Sequence, residues 1–295
     1  MCGVRYTNCV RFRWDWLSSA ISVPYVPTLG PVRPQALSAE LFDAVMLVAH
    51  TGRFLPYDKD RRWSSTKDER VITQEIIHRP ELTVIPTLST RGRGLLKIHY
   101  YGRGKPDIGH AAEWSLTWMT TYGAVAGRLI WFDDVGEGAR TRLMLKTFED
   151  QESGVSGAVM SLNDCPYAST FPAFTEEIGP EGFAFLYQRM QAGIDDGPVL
   201  VTVQDDRIVG AIGPLATMTD STGATIQPPQ YFAVHPDYRG RGHGRNLWRA
   251  SMAWGRANGA GHKVLQASVG TPAERLYLSE RLVTLGFLHT VDVGC

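Results

Sequence analysis

The stretch Arg239-Gly240-Arg241-Gly242-His243-Gly244 decides how this chain is read. Ahead of it, Gln230-Tyr231-Phe232-Ala233-Val234 has the aromatic and branched side chains of a strand. Behind it, residues 245–258 carry Leu247, Trp248, Met252, Ala253 and Trp254 on the spacing of an amphipathic helix. Three glycines at alternate positions let backbone N–H groups turn toward a ligand. The helix that follows adds the positive end of its dipole. Strand, glycine loop and helix N-terminus, in that order, make a cradle for a diphosphate.

Three nucleotide-binding patterns compete for that cradle. A dinucleotide fingerprint needs G-x-G-x-x-G, and the glycines at 240, 242 and 244 leave its third place unfilled. No acidic residue closes a second strand about 20 residues on, where Ala260-Gly261-His262-Lys263 stands instead. A P-loop needs Gly-Lys-Ser/Thr, and Arg245-Asn246 follows the last glycine. The third pattern fits. The run from Val234 to Gly244 resembles the acyl-CoA pyrophosphate loop of the GNAT N-acetyltransferase superfamily. The family signature Gln/Arg-x-x-Gly-x-Gly/Ala falls on Arg239, Gly242 and Gly244, with Val-x-Pro at Val234 and Pro236 before it.

Composition sets the frame for that resemblance. A chain of 295 residues exceeds one typical domain, so two are expected. Apolar residues at 43% and charged residues at 20% suit a globular protein. Thirty basic and thirty acidic residues cancel, which removes the electrostatic warrant for a nucleic-acid partner. No apolar run approaches a membrane span, so no membrane partner is expected. Cys2, Cys9, Cys165 and Cys295 form no C-x-x-C pair and read as reduced thiols of a cytoplasmic protein. The eight histidines lack zinc-ligand spacing, so no metal is expected.

Residues 1–36 combine a superficially signal-like start with Pro24, Pro27, Pro31 and Pro34. Asp15, Ser18 and Ser19 interrupt the apolar part, and the proline spacing predicts a poorly packed segment without regular structure. Residues 37–158 read as a smaller α+β module. A helix is expected from Ser38, and a second from Ser65 or Thr66, burying Val71, Ile72, Ile76 and Ile77 and ending at Pro80. Strands are expected over 95–101, 114–121, 124–132 and 142–148 as an antiparallel meander. The period-two order of Trp114, Leu116 and Trp118 supports the second of them.

Residues 159–295 have a clearer order. A helix over 182–190 precedes a strand at Val199–Val203, a hairpin turn at Asp205-Asp206 and a strand over 208–216. Then come the strand ending at Val234, the loop and its helix, and a strand at 263–267. A helix opened by Pro272 and closed by Leu285-Gly286-Phe287, and a final strand to Val293, complete the order. This order is similar to the GNAT fold, an α+β arrangement with a mixed central sheet and splayed strands. The similarity covers roughly residues 160–293.

The resemblance implies the chemistry. Acetyl-CoA or a longer acyl-CoA is the implied co-substrate. Main-chain groups of Phe232, Ala233 and Val234 would hold the acyl-pantetheine arm in the gap between the strand ending at Val234 and that over 264–267. Arg239, Gly240, Arg241, Gly242, His243, Gly244 and Arg245 would hold the diphosphate, with a solvated arginine face the alternative for Arg241. A primary amine would attack the thioester directly. The strand position that carries Glu in many members holds Gln230 or Tyr231 here, which leaves His235 and Tyr231 as candidates near the base post. Leu282 stands four residues before Gly-Phe, where a tyrosine acid is usual, and Tyr277 is the nearest tyrosine. Each of these has a bland alternative, a surface histidine or a packing tyrosine. The acceptor implied is a small-molecule amine, with monomer or homodimer equally open. The two-part layout resembles actinobacterial acyltransferases of antibiotic amino sugars. A catalytically silent acyl-CoA sensor and a protein or peptide N-acetyltransferase are the alternatives.

Overall fold

The computed structural model describes residues 21–22, 31–32, 69–79, 82–89, 94–102, 105–148, 159–179, 183–219 and 223–294. The chain divides into two compact units. One comprises Met1–Leu145, Leu265–Glu274 and Val283–Cys295, and the other Lys146–Val264 and Arg275–Leu282. The helix expected from Ser38 lies outside the described residues.

The first unit opens with β1 (Ile21–Ser22) and β2 (Pro31–Val32), paired antiparallel, so the proline-rich segment does hold a short ladder. β3 (Glu69–Val71), β4 (Ile77–Arg79), β5 (Leu82–Ser89) and β6 (Leu95–Gly102) follow, then α1 (Ile108–Tyr122), β7 (Ala126–Asp133) and β8 (Thr141–Thr147). Two expectations fail here. Val71 to Ile77 is not helical: Val71 ends β3, a 3-10 turn spans Thr73–Glu75, and Ile77 starts β4. Branched side chains favour extended backbone, and the Ile72 N–H finds its acceptor in Pro86, 2.9 Å away. Trp114 to Thr121 is not a strand but the body of α1. Ala111, Ser115 and Trp118 are its buried face, whereas Leu116, central to the alternation, is 56% exposed. The meander is corrected with it, because β6 and β7 pair in parallel across that helix, from Leu95↔Ala126 to His99↔Ile130.

The second unit begins with β9 (Val159–Ser161), α2 (Phe171–Glu177), α3 (Phe183–Gln191), β10 (Leu200–Gln204) and β11 (Arg207–Gly213). Asp205 and Asp206 both take positive φ in the hairpin between β10 and β11, the geometry a tight two-residue turn requires. β12 (Met218–Thr219), β13 (Thr225–Ile226) and β14 (Tyr231–Val234) lead to α4 (His243–Ala257), β15 (His262–Ser268) and α5 (Pro272–Ser279). One sheet has the order β14-β11-β10-β9, antiparallel throughout. On one face Phe171, Phe174, Phe183 and Leu186 of α2 and α3 pack with Val201, Ile208, Ala211 and Ala233. Across β10 and β11 lies α4, with Leu247, Trp248 and Met252 almost fully buried.

β15 runs on into the first unit, where it neighbours β8, and β16 (Val283–Val293) completes that sheet in the order β15-β8-β16-β7-β6-β5-β3. Gly286 does not cap a helix. α5 stops at Ser279, and Gly286 lies inside β16 at a register shift against β8. Arg281 takes φ +61 in the turn between them, so a residue other than glycine supplies the left-handed conformation.

Candidate functional site

Strand β14, the glycine loop and α4 occupy consecutive places in the second unit. After Val234 the chain makes a 3-10 turn over Pro236–Tyr238, then passes through Gly240 (φ +79) and Gly242 (φ +90) into α4. An added Cβ at either glycine would meet nothing within 4 Å, so backbone conformation and not space demands glycine there. Gly242 is the N-cap of α4 and offers no side chain to it. The first intrahelical bond is Asn246 N–H to Gly242 C=O, at 3.1 Å. The N–H groups of His243, Gly244 and Arg245 therefore have no acceptor inside the helix. Gly244 is different, because its Cβ would lie 3.6 Å from Phe232 and 3.7 Å from Val234, ordinary contacts that fit alanine.

The arginines are unequally placed. Arg239 Nε donates to the Val234 carbonyl at 3.0 Å. Arg241 donates to the Asp237 carbonyl at 3.0 Å and lies 5.0 Å from the Tyr238 ring centre. Both guanidinium groups shape the loop and stay exposed. Arg245 is already paired, with Glu280 at 3.1 Å, and Glu280 also takes a two-point bond from Arg249. His243 turns its ring inward, with Nδ1 3.1 Å from Thr202 Oγ1 and Nε2 2.8 Å from Gln204 Oε1. Burial, then the charge of Arg241, pushes its pKa down.

Among the described residues, β14 pairs along one edge, with β11. The His235 N–H donates to Val209 at 2.8 Å, so strand alternation turns the main-chain groups of Phe232 and Val234 away from β11. Arg239 takes the Val234 carbonyl, which leaves the Phe232 N–H and C=O as the outward pair. β13 and β14 are two parts of one extended path. β13 pairs in parallel with β15 at Ile226↔His262, and Gln227 N–H still donates to His262 O at 3.1 Å. Pro228 and Pro229 then remove two donors, and from Tyr231 the chain belongs to the other sheet. The strands expected to splay do part company there.

Among the residues read as candidates for proton transfer, the contacts separate the roles. His235 caps the 3-10 turn: its Nδ1 accepts the Asp237 N–H at 3.3 Å, and its Nε2 is 3.3 Å from Glu177. These contacts tie the His235 ring to the 3-10 turn and to Glu177. Tyr277 is buried, its ring 4.7 Å from that of Trp248, and burial raises its pKa strongly. Tyr231 packs beside Phe183 with ring centres 5.8 Å apart, on the face of β14 opposite Phe232. The first unit has aromatic contacts of its own. Trp118 donates to Glu75 and stacks on Trp114, and Trp131 stacks on His289.

One cluster escaped the sequence reading. Lys263, on β15, is 1% exposed and donates to Pro228 O at 2.8 Å and to Gln230 Oε1. Gln230 and Gln227 both donate to Ser251 Oγ of α4, at 2.6 and 3.0 Å. A lysine at the start of a strand, directly before the apolar Val264-Leu265, was the available signal. Among the described residues no group of three or more His, Cys, Asp or Glu could hold a metal, and no helix is long and apolar enough to cross a membrane.

Comparison with known proteins agrees with this geometry. Residues 163–281 match the family model of the acetyltransferase (GNAT) family. No curated protein matches the chain. The structure is similar to a GCN5-related N-acetyltransferase from Sphaerobacter thermophilus, at 16% identity and TM-score 0.52, over 90% of this chain and 88% of that one. It also aligns with a GNAT-family acetyltransferase from Colwellia psychrerythraea, at 9% identity and TM-score 0.49, over 93% and 99% of the two chains. A tandem GNAT protein from the clavulanic acid biosynthesis pathway aligns at 11% identity and TM-score 0.49, over 87% and 94%. The order of elements, the open helix N-terminus behind a glycine loop and the parted strands all accord with the family match: residues 163–281 are a domain of the acetyltransferase (GNAT) family.

Proposed function

We propose that the protein is an acyl-CoA-dependent N-acyltransferase that moves an acyl group, acetyl first among them, to a primary amine of a small molecule. The observation that carries this reading is the uncapped N-terminus of α4, where three successive amides face outward behind Gly242. Those amides suit the diphosphate of coenzyme A, and the helix dipole favours its charge. The outward N–H and C=O of Phe232 suit an amide of the pantetheine arm, in the manner of an added strand. Arg239 and Arg241 stand at the loop surface, where the phosphates of the cofactor would meet positive charge. Arg245 contributes its main-chain N–H, because Glu280 holds its side chain.

The amine, once deprotonated, attacks the thioester carbon. The carbon–nitrogen bond forms, the carbon–sulfur bond breaks, and the thiolate leaves with the electron pair. A thiol of pKa about 8.5 leaves readily without an acid. Of the candidate side chains, Tyr277 keeps its proton and can only donate, and Tyr231 opens β14. The proton from the amine passes to water or to the substrate's own groups in this scheme, since no carboxylate stands at the Gln230 position.

That vacancy also motivates a second reading, a silent acyl-CoA sensor. One experiment separates them. The protein is mixed with acetyl-CoA and a panel of small amines, aminoglycosides included, and free thiol is followed. Thiol release that depends on an amine supports the transferase. Calorimetric binding of coenzyme A without release from any amine supports the sensor. A basic peptide as the sole productive acceptor would replace the small-molecule assignment by a protein one.

A further inference from the structure

Where a parallel pair of strands splits, the ladder hydrogen bonds at the fork have to be replaced. In this molecule the fork spans Pro228, Pro229 and Gln230, between the last residue bonded to β15 and the first paired with β11. The prolines have no N–H to lose, but the Pro228 carbonyl and the Gln230 amide remain. Lys263 fills the first of these needs from the opposite strand, with Nζ donating to the Pro228 carbonyl, and it also donates to the side-chain Oε1 of Gln230. Gln230 is in turn tied to Ser251 of α4 at 2.6 Å, and Trp248 of the same helix presents its ring 6.0 Å from Nζ. The recorded partners of Lys263 are all neutral. Burial without a carboxylate pushes its pKa well down, which is a costly way to fill a core position unless the amine has a task.

We propose that Lys263 is a positioning residue that pins the fork, fixing through Pro228 and Gln230 where β14 departs and so where the Phe232 main chain meets the acyl-pantetheine arm. This rests on the coenzyme A reading above. The diphosphate cradle lies beyond β14, and the fork does not touch it. The pin therefore governs the arm and leaves the phosphates alone.

The test uses calorimetry on the full chain with two probes. One is coenzyme A; the other is its 3′-phospho-ADP fragment, which carries the diphosphate and no arm. The variants are Lys263→Met and Gln230→Met, which remove the pin from either side with little change of volume. Replacing a buried charge by an apolar group of similar size is often neutral for folding. Both variants should bind the fragment within about 3-fold of the wild type and bind coenzyme A at least about 10-fold more weakly. Unchanged coenzyme A binding in either folded variant overturns the pin. So does an equal loss of both probes, which marks general damage. Should Lys263→Met fail to fold, the half-buried Gln230→Met decides alone. A wild-type protein that binds neither probe sinks the coenzyme A reading itself, a result distinct from the others.

Discussion

The molecule contains two parallel strand–helix–strand crossovers with opposite fates. In the first unit, β6 and β7 stay paired over five residues beneath α1. Asp107 caps that helix, its carboxylate accepting the His110 N–H at 3.1 Å. In the second unit, β14 leaves β15 for another sheet, and Gly242 gives α4 no cap. One crossover caps its helix and keeps its strands paired, and the other does neither, at the helix N-terminus and at the strand edge. A bound diphosphate and a bound pantetheine amide are the groups that would complete it. A fold-level motif becomes a site by what it leaves unpaired, and the first crossover shows the same scaffold with its helix capped and its strands paired.

The sharpest way to break this contrast is to give α4 a carboxylate of its own. Gly242→Asp places a negative charge among the amides read as the diphosphate cradle. Affinity for coenzyme A should fall about 100-fold or more by calorimetry, as expected when a charge competes with the phosphate at a helix N-terminus. The left-handed backbone at 242 costs aspartate about 1–2 kcal/mol, read as a modestly lower melting temperature of a protein that still folds. Undiminished affinity in the folded variant would mean that the cradle is elsewhere.

The converse substitution acts on the first unit. Asp107→Ala removes the cap of α1 and should cost about 1 kcal/mol of stability, read as a lower midpoint in urea. Coenzyme A binding should stay as in the wild type, because that crossover is not read as a ligand site. A large loss of affinity on Asp107→Ala would make the two crossovers functionally linked and the contrast wrong.

The sequence made the second crossover legible and hid the first. Residues 230–258 announce strand, loop and helix because Gly240 and Gly242 require positive φ, a demand that shows as residue type. The first crossover was misread because Trp114, Leu116 and Trp118 alternate by accident. Only burial shows that Trp118 and Ser115 face inward while Leu116 faces water. The C-terminal end of α5 was misplaced for a related reason. Gly286 looked like a cap, whereas Arg281 carries the left-handed turn and Gly286 marks an irregularity in β16. At the site, glycines and prolines were readable because they constrain backbone. Lys263 and the Thr202–His243–Gln204 contacts were not, because they join residues 33 to 41 positions apart and leave no local pattern.

Within the cradle, the two glycines of the signature should differ. Gly244→Ala places a methyl in ordinary contact with Phe232 and Val234 and raises helix propensity. It should stabilise the protein by about 0.5–1 kcal/mol and leave coenzyme A affinity within about 3-fold. Gly242→Ala should destabilise by about 1 kcal/mol, because alanine pays for the left-handed φ. Equal effects at the two positions in thermal melts would contradict a helix that begins between them.

The smallest expected effect is a pH dependence centred on His243. Its ring is held between Thr202 and Gln204 at the first turn of α4, where burial, the charge of Arg241 and the helix dipole all oppose a proton. The folded-state pKa is therefore below the unfolded value of about 6.5. Above that value the imidazole is neutral in both states, and its contribution to stability is complete. As the pH falls below about 6.5, the unfolded chain takes up a proton that the folded chain refuses, so stability is lost until the folded pKa is reached. Melting temperatures of the wild type and His243→Gln, compared between pH 8 and pH 5, should converge on the acid side. Divergence there would mean that the folded protein welcomes the charge, and with it that the first turn of α4 is a better place for cations and a poorer cradle for anions than its exposed amides imply.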